Sequence, residues 1–309
     1  MTDVGNPSAD RAAHELHGGA VDVRPLRFTD ILDGSFGLFR SSLRLMIPLV
    51  LAVMVPLQLL SAFIQREALQ FAFAGIFDDP DAASLLFDGE GNLAGLAVRA
   101  LSGLLIDPVL AGALVWVAGR RFLGQPVDFG QTLRQTGRMA GWLVLAYIVS
   151  ALARGIFLVP ALLAGTGGSE EAAALALVLG GLAVLLLTPL FAVVTPAILF
   201  EPRRPAQAFA HAVRLVRGAY WRTTGIVVGT TLVFNLLALL LAGAPNVIGF
   251  IGGFGFAWVL IAFGSVLEQL ITAPLIAGAM VLLHADLRVR QEGFDFDLLL
   301  DRMQPSAPR

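Results

Sequence analysis

Apolar positions gather into six long runs, near 43–65, 96–118, 141–163, 172–200, 223–243 and 254–284. Each approaches or exceeds the roughly 20 residues a helix needs to cross a hydrocarbon core of about 30 Å. The pattern therefore predicts six transmembrane helices in an all-α integral membrane protein. Ahead of the first, third and fifth runs it changes from continuous to periodic. Ile31, Phe36 and Phe39, then Phe129, Leu133 and Met139, then Phe209, Val213, Leu215 and Val216 recur at helical spacing beside arginines. Such a face suits an amphipathic helix in the headgroup layer, or one packed on its neighbours beneath the bundle.

These segments fall into register. Arg40-Ser-Ser-Leu-Arg44, Arg138-Met-Ala-Gly-Trp142 and Arg217-Gly-Ala-Tyr-Trp221 mark the same site, where the amphipathic stretch becomes a span. The even-numbered spans align through Pro108, Pro189 and Pro274, each followed by an apolar run and then arginines. A proline inside a span frees a carbonyl and kinks the helix. Three parallel units of interfacial helix plus hairpin are expected, about 24–125, 126–204 and 205–300. Polar tails at 1–23 and 301–309 flank the six-span domain of 24–300. Gly293 is expected to end the sixth helix, with FDFDLLL docking beneath the bundle.

Composition fits this picture and narrows it. Of 309 residues 57% are apolar and 14% charged, against about 45–50% and about 25% in soluble domains. The net charge of −2 offers no basic field for nucleic acid. With no cysteine there is no disulfide, thiol nucleophile or zinc–thiolate site. His14 and His17 have no third ligand nearby, so no metal or other cofactor is expected. All 21 basic residues are arginine, which points to a GC-rich bacterial genome. Arginines precede the first span, lie between the second and third and between the fourth and fifth, and follow the sixth. The other loops carry Arg66 and a run of acids. By the positive-inside rule both termini are cytoplasmic, in a bacterial inner membrane. Arg40, Arg44, Arg138, Arg217 and Arg222 are the candidate contacts to lipid headgroups.

The two ends also resemble a known family. RPLRFTDILDGSFGLFRSSLR at 24–44 and LLHADLRVRQEGFDFDLLL at 282–300 are similar to the opening and closing segments of the bacterial, actinobacterial-type glycerophosphoryl diester phosphodiesterase membrane domain. In some members that domain precedes a soluble catalytic barrel. Here the hallmark His-Arg-Gly is absent and the roughly 20 residues after Arg290 are too few for a barrel of about 250. The resemblance thus implies a stand-alone, non-enzymatic member.

Polar groups within the runs are the remaining chemistry, since a charge at mid-membrane costs at least about 2.5–3.5 kcal/mol. The candidates are Gln58, Arg99, Asp107, Arg154, Asn235, Glu268 and Gln269. At 1.5 Å per residue, Asp107 stands roughly 20 Å above Arg120 and Arg154 roughly 18 Å above Trp142, which suggests an ion pair. Glu268 and Arg99 stand roughly 27 and 30 Å up. Asp107, Arg154 and Glu268 either line a polar cavity, with arginine holding a lipid phosphate or anionic solute, or fix how the spans pack. The carboxylates around Asp286 and Glu292 lack calcium-loop spacing, and their neighbouring arginines read as anchors. Two functions follow. One is a non-enzymatic module organising lipids, or another membrane or envelope protein. The alternative is a small transporter or lipid-handling protein with a polar cavity. An intramembrane enzyme is disfavoured by the absence of His-rich metal motifs and of GxSxG.

Overall fold

A computed structural model of the protein describes residues 26–64, 98, 100–166, 170–201, 203–252 and 257–292. These form helices α1 (Phe28–Ile64), α2 (Asp107–Phe122), α3 (Phe129–Gly155), α4 (Val159–Thr166), α5 (Glu170–Phe191), α6 (Val194–Phe200), α7 (Pro205–Gly218), α8 (Tyr220–Gly252) and α9 (Ala257–Glu292). A π-helical turn at Ser102–Ile106 leads into α2, and a 3₁₀ turn at Ile156–Leu158 joins α3 to α4. No strand occurs among the described residues. Six helical stretches are long and apolar enough to cross a membrane, as the apolar runs predict.

Helix α1 shows how pattern becomes packing. Ile31, Ser35, Leu38, Ser42, Met46 and Leu49 are buried and lie three or four residues apart, on one face. That face meets α9, the most extensive helix pairing in the molecule. Small residues set the approach: a Cβ on Gly278 would stand 3.2 Å from the Ser35 Cα. With 37 residues α1 is about 55 Å long, well beyond the hydrocarbon thickness. Its amphipathic first half runs into its span without a break.

Helix α3 is continuous in the same way, whereas the stretch ahead of the fifth span is jointed at Ala219, between α7 and α8. Only α7 is therefore an amphipathic helix in its own right. Its buried side, Ala208, His211, Ala212, Leu215 and Val216, packs chiefly on α5, α6 and α9. Of the two expected placements it takes the packed one. Ahead of the first and third spans Phe36, Phe129 and Leu133 stay exposed.

The aligned prolines also differ. Pro108 opens α2 directly after the π turn. Pro189 lies in the last turn of α5, and the chain turns at Ala192–Val193 before α6. Tyr220 Oη donates to the Leu186 carbonyl at 2.6 Å beside this break, supplying a side-chain donor of the kind such breaks need. Pro274 lies within an unbroken α9. After α2 the chain reverses at Gly124, whose φ of 69° is the left-handed geometry glycine tolerates.

Helix α9 is the hub, packing on α1, α8 and α2. Half of the spanning window is buried in Ser102–Phe122 and in Trp258–Glu292, against 11% in Phe129–Ala161. Leu152, Ile156, Leu175, Val178 and Leu179 on the peripheral spans are exposed, as lipid-facing residues should be.

Candidate functional site

The charges at the arginine-bearing end are organised around two buried carboxylates. Asp286, fully buried on α9, accepts from the Leu26 amide at 2.7 Å, from Arg290 Nε at 2.9 Å and from Arg222 Nη1. Both arginines also donate to the Leu26 carbonyl, Arg222 at 2.5 Å and Arg290 at 3.3 Å. Segments 260 positions apart in sequence thus meet in one hydrogen-bonded knot. Arg222, a candidate headgroup contact, has its guanidinium engaged by protein. Arg40, Arg44, Arg138 and Arg217 are exposed and make no side-chain ion pair among the described residues.

Glu201, at the end of α6, centres the second knot. Its carboxylate meets His211 Nδ1 at 2.9 and 3.0 Å, His284 Nε2 at 3.1 Å and Arg203 Nη1 at 2.8 Å. His211 Nε2 reaches Glu292 at 2.7 Å, and Arg288 closes on the same carboxylate at 2.8 Å. A carboxylate thus faces each ring nitrogen of His211. Burial pushes the Glu201 carboxyl up, but hydrogen bonds and charge from His284 and His211 outweigh this and bring it from 4.5 down to about 2. The side chains bridge pairwise, and among the described residues no group of His, Asp and Glu could hold a metal ion. Glu201, His211 and His284 escaped the sequence reading. The available signal was a histidine among apolar positions in each of α7 and α9 and a carboxylate closing α6.

Inside the membrane the grouping differs from the one depth suggests. Arg154 Nε donates to the Ser150 carbonyl of its own helix at 3.0 Å, and no ion pair joins it to Asp107 among the described residues. Equal depth placed the two at one level without turning them toward each other. Arg99 lies outside the described residues. So do His14, His17 and FDFDLLL. Gln58 is half-buried on α1 and lines neither of the cavities below.

Instead, Asn235 on α8 and Glu268 and Gln269 on α9 line one cavity of about 190 Å³. Asp107, at the head of α2, lines a second of about 180 Å³ with Met54, Leu110 and Leu114. Gln269, Ile276 and Met280 belong to both, so one stripe of α9 stands between them. The first cavity is graded along its length. At the end remote from the arginines it has Asn235, Thr231, Glu268, Gln269 and Thr272; toward them come Ile226, Val227, Met280 and Leu283. From Glu268 to Leu283 α9 rises about 22 Å. Thr230 and Thr272 return their hydroxyls to carbonyls of their own helices. The carboxylate of Glu268 and the amides of Asn235 and Gln269 have no such partner among the described residues. Asn235 and Thr231 are exposed, so the polar end opens sideways along α8.

No family model matches the chain, and neither curated proteins nor solved structures yield a match.

Proposed function

We propose that this chain is a non-enzymatic module of a bacterial inner membrane that organises lipids, holding an amphiphile between α8 and α9. The graded cavity carries this reading. Polar groups gather at one end, apolar walls run beneath them, and the mouth opens sideways where lipid would stand. That is the polarity of a lipid with its headgroup remote from the arginines. The positive-inside rule makes the arginine-bearing end cytoplasmic, so the lipid would belong to the outer leaflet. The likeness of the chain's ends to the phosphodiesterase membrane domain is in keeping with a non-catalytic role.

The transporter reading is less favoured, because passage would need polar groups to continue toward the arginines. Below Thr230 and Thr272 the described lining is apolar, and the layer beneath is tied by Asp286 and Glu201.

The test is photo-crosslinking with an acyl-chain-labelled phospholipid in vesicles. Label is expected to concentrate on α8 and α9 peptides, and Thr231→Trp, which fills the mouth, should reduce it at least tenfold. Label spread evenly over the exposed faces of α3 and α5 would overturn the reading.

A further inference from the structure

We propose that the cavity selects an amphiphile with a primary ammonium headgroup, held by Glu268 with Asn235 and Gln269. This rests on the lipid-holding reading and specifies its ligand. Once Arg154 is placed outside the cavity, its described lining contains one charge, the Glu268 carboxylate, and no cation. A phosphate brought beside that carboxylate would meet repulsion in a medium of low dielectric. An ammonium would meet attraction.

The neighbouring groups narrow the choice further. A primary ammonium has three donors and no acceptor. Around Glu268 stand the side-chain oxygens of Asn235 and Gln269, which can accept them, and neither amide is engaged elsewhere among the described residues. A quaternary ammonium has no N–H to offer, and quaternary headgroups are usually recognised by cages of aromatic rings. Phe234 is the lone aromatic in the described lining. The apolar lower wall, continuing through Val227 and Met280 to Leu283, requires an attached chain rather than a free amine. In a phospholipid the phosphate, which lies between the ammonium and the chains, would stand at the sideways mouth beside the exposed Thr231, outside the cavity.

The experiment uses the full chain in vesicles, with acyl-labelled phosphatidylethanolamine, phosphatidylcholine or phosphatidylglycerol each competing against an unlabelled background. Phosphatidylethanolamine should label the cavity at least tenfold above the other two. Glu268→Gln should bring all three to one level, and Glu268→Asp should restore part of the preference. Free ethanolamine should leave labelling unchanged at concentrations matching the lipid headgroup. A preference for phosphatidylglycerol, or an ethanolamine-lipid preference that survives in a folded Glu268→Gln variant, overturns the inference. So does displacement by free ethanolamine. Equal labelling by all three lipids overturns the headgroup inference and leaves the lipid-holding function standing. Absence of any lipid from the cavity removes both.

Discussion

The two ends of this bundle treat charge in opposite ways. At the arginine-bearing end, Asp286 and Glu201 are enclosed, and three or more donors surround each. In the remote half, Glu268, Asn235 and Gln269 face a cavity with no side-chain partner among the described residues. Paired carboxylates join segments far apart in sequence and leave nothing for a ligand to contact. Unpaired ones contribute little to assembly and present chemistry to whatever enters. The difference separates charge engaged in assembly from charge left open to a ligand more sharply than residue type or depth does.

The largest expected effect comes from breaking the enclosed end. Asp286→Ala strands the buried Leu26 amide and takes the carboxylate from two partly exposed guanidinium groups, and should cost about 2–3 kcal/mol. A large fall in thermal midpoint in detergent would register this; a midpoint within a degree or two of the parent would mean that Asp286 does not hold the two ends of the chain together. Glu201→Gln keeps the shape but loses the charge facing His211, His284 and Arg203, and about 2 kcal/mol is expected. Acid titration sharpens the point. Because the folded state holds Glu201 near 2 instead of 4.5, its contribution is complete above about pH 4.5 and fades as pH falls toward 2. Over that window the parent should lose stability more steeply than the variant, as followed by tryptophan fluorescence. Parallel acid curves would contradict the assignment.

The smallest effect is expected at Arg154. Its observed hydrogen bond goes to the carbonyl one turn back, so Arg154→Gln should change stability by about 0.5 kcal/mol or less and leave lipid labelling intact. Loss of labelling in that variant would return Arg154 to the binding site and undo the contrast drawn between the two ends.

Much of the fold was legible because it rests on local physics. Run length gave the six spans. The periodic face read as Ile31, Phe36 and Phe39, however, shares only Ile31 with the buried face of Ile31, Ser35, Leu38 and Ser42, because the small serines permit the closer approach to α9. The site was legible in part. Rise per residue gave heights, and Asn235, Asp107 and Glu268 are members of that reading that line the two cavities. Height carries no information about rotation around a helix axis, which is why Asp107 and Arg154 could stand level and still fail to pair. The Glu201–His211–His284 knot was less visible still. His211 and His284 lie among apolar buried positions of α7 and α9, Glu201 closes α6 in extended backbone, and the two histidines lie 10 and 83 positions from it. Only the packing of α7 and α9 against the end of α6 reveals that they answer one another. The aligned prolines show the same limit: one residue at equivalent positions accompanies a π turn, a break and a continuous helix, depending on its neighbours.

The bond between Leu26 and Asp286 also has a consequence in time. It spans 260 positions, and α1 finds its principal partner in α9, the last helix described. At roughly 5–20 residues per second of synthesis, α1 enters the membrane on the order of 13–50 s before that partner exists. During this interval the buried face of Ile31, Leu38 and Met46 must be covered by lipid or by an insertion factor. Assembly of the described bundle therefore waits for α9, and a ribosome stalled before Asp286 would leave α1 inserted but unclaimed.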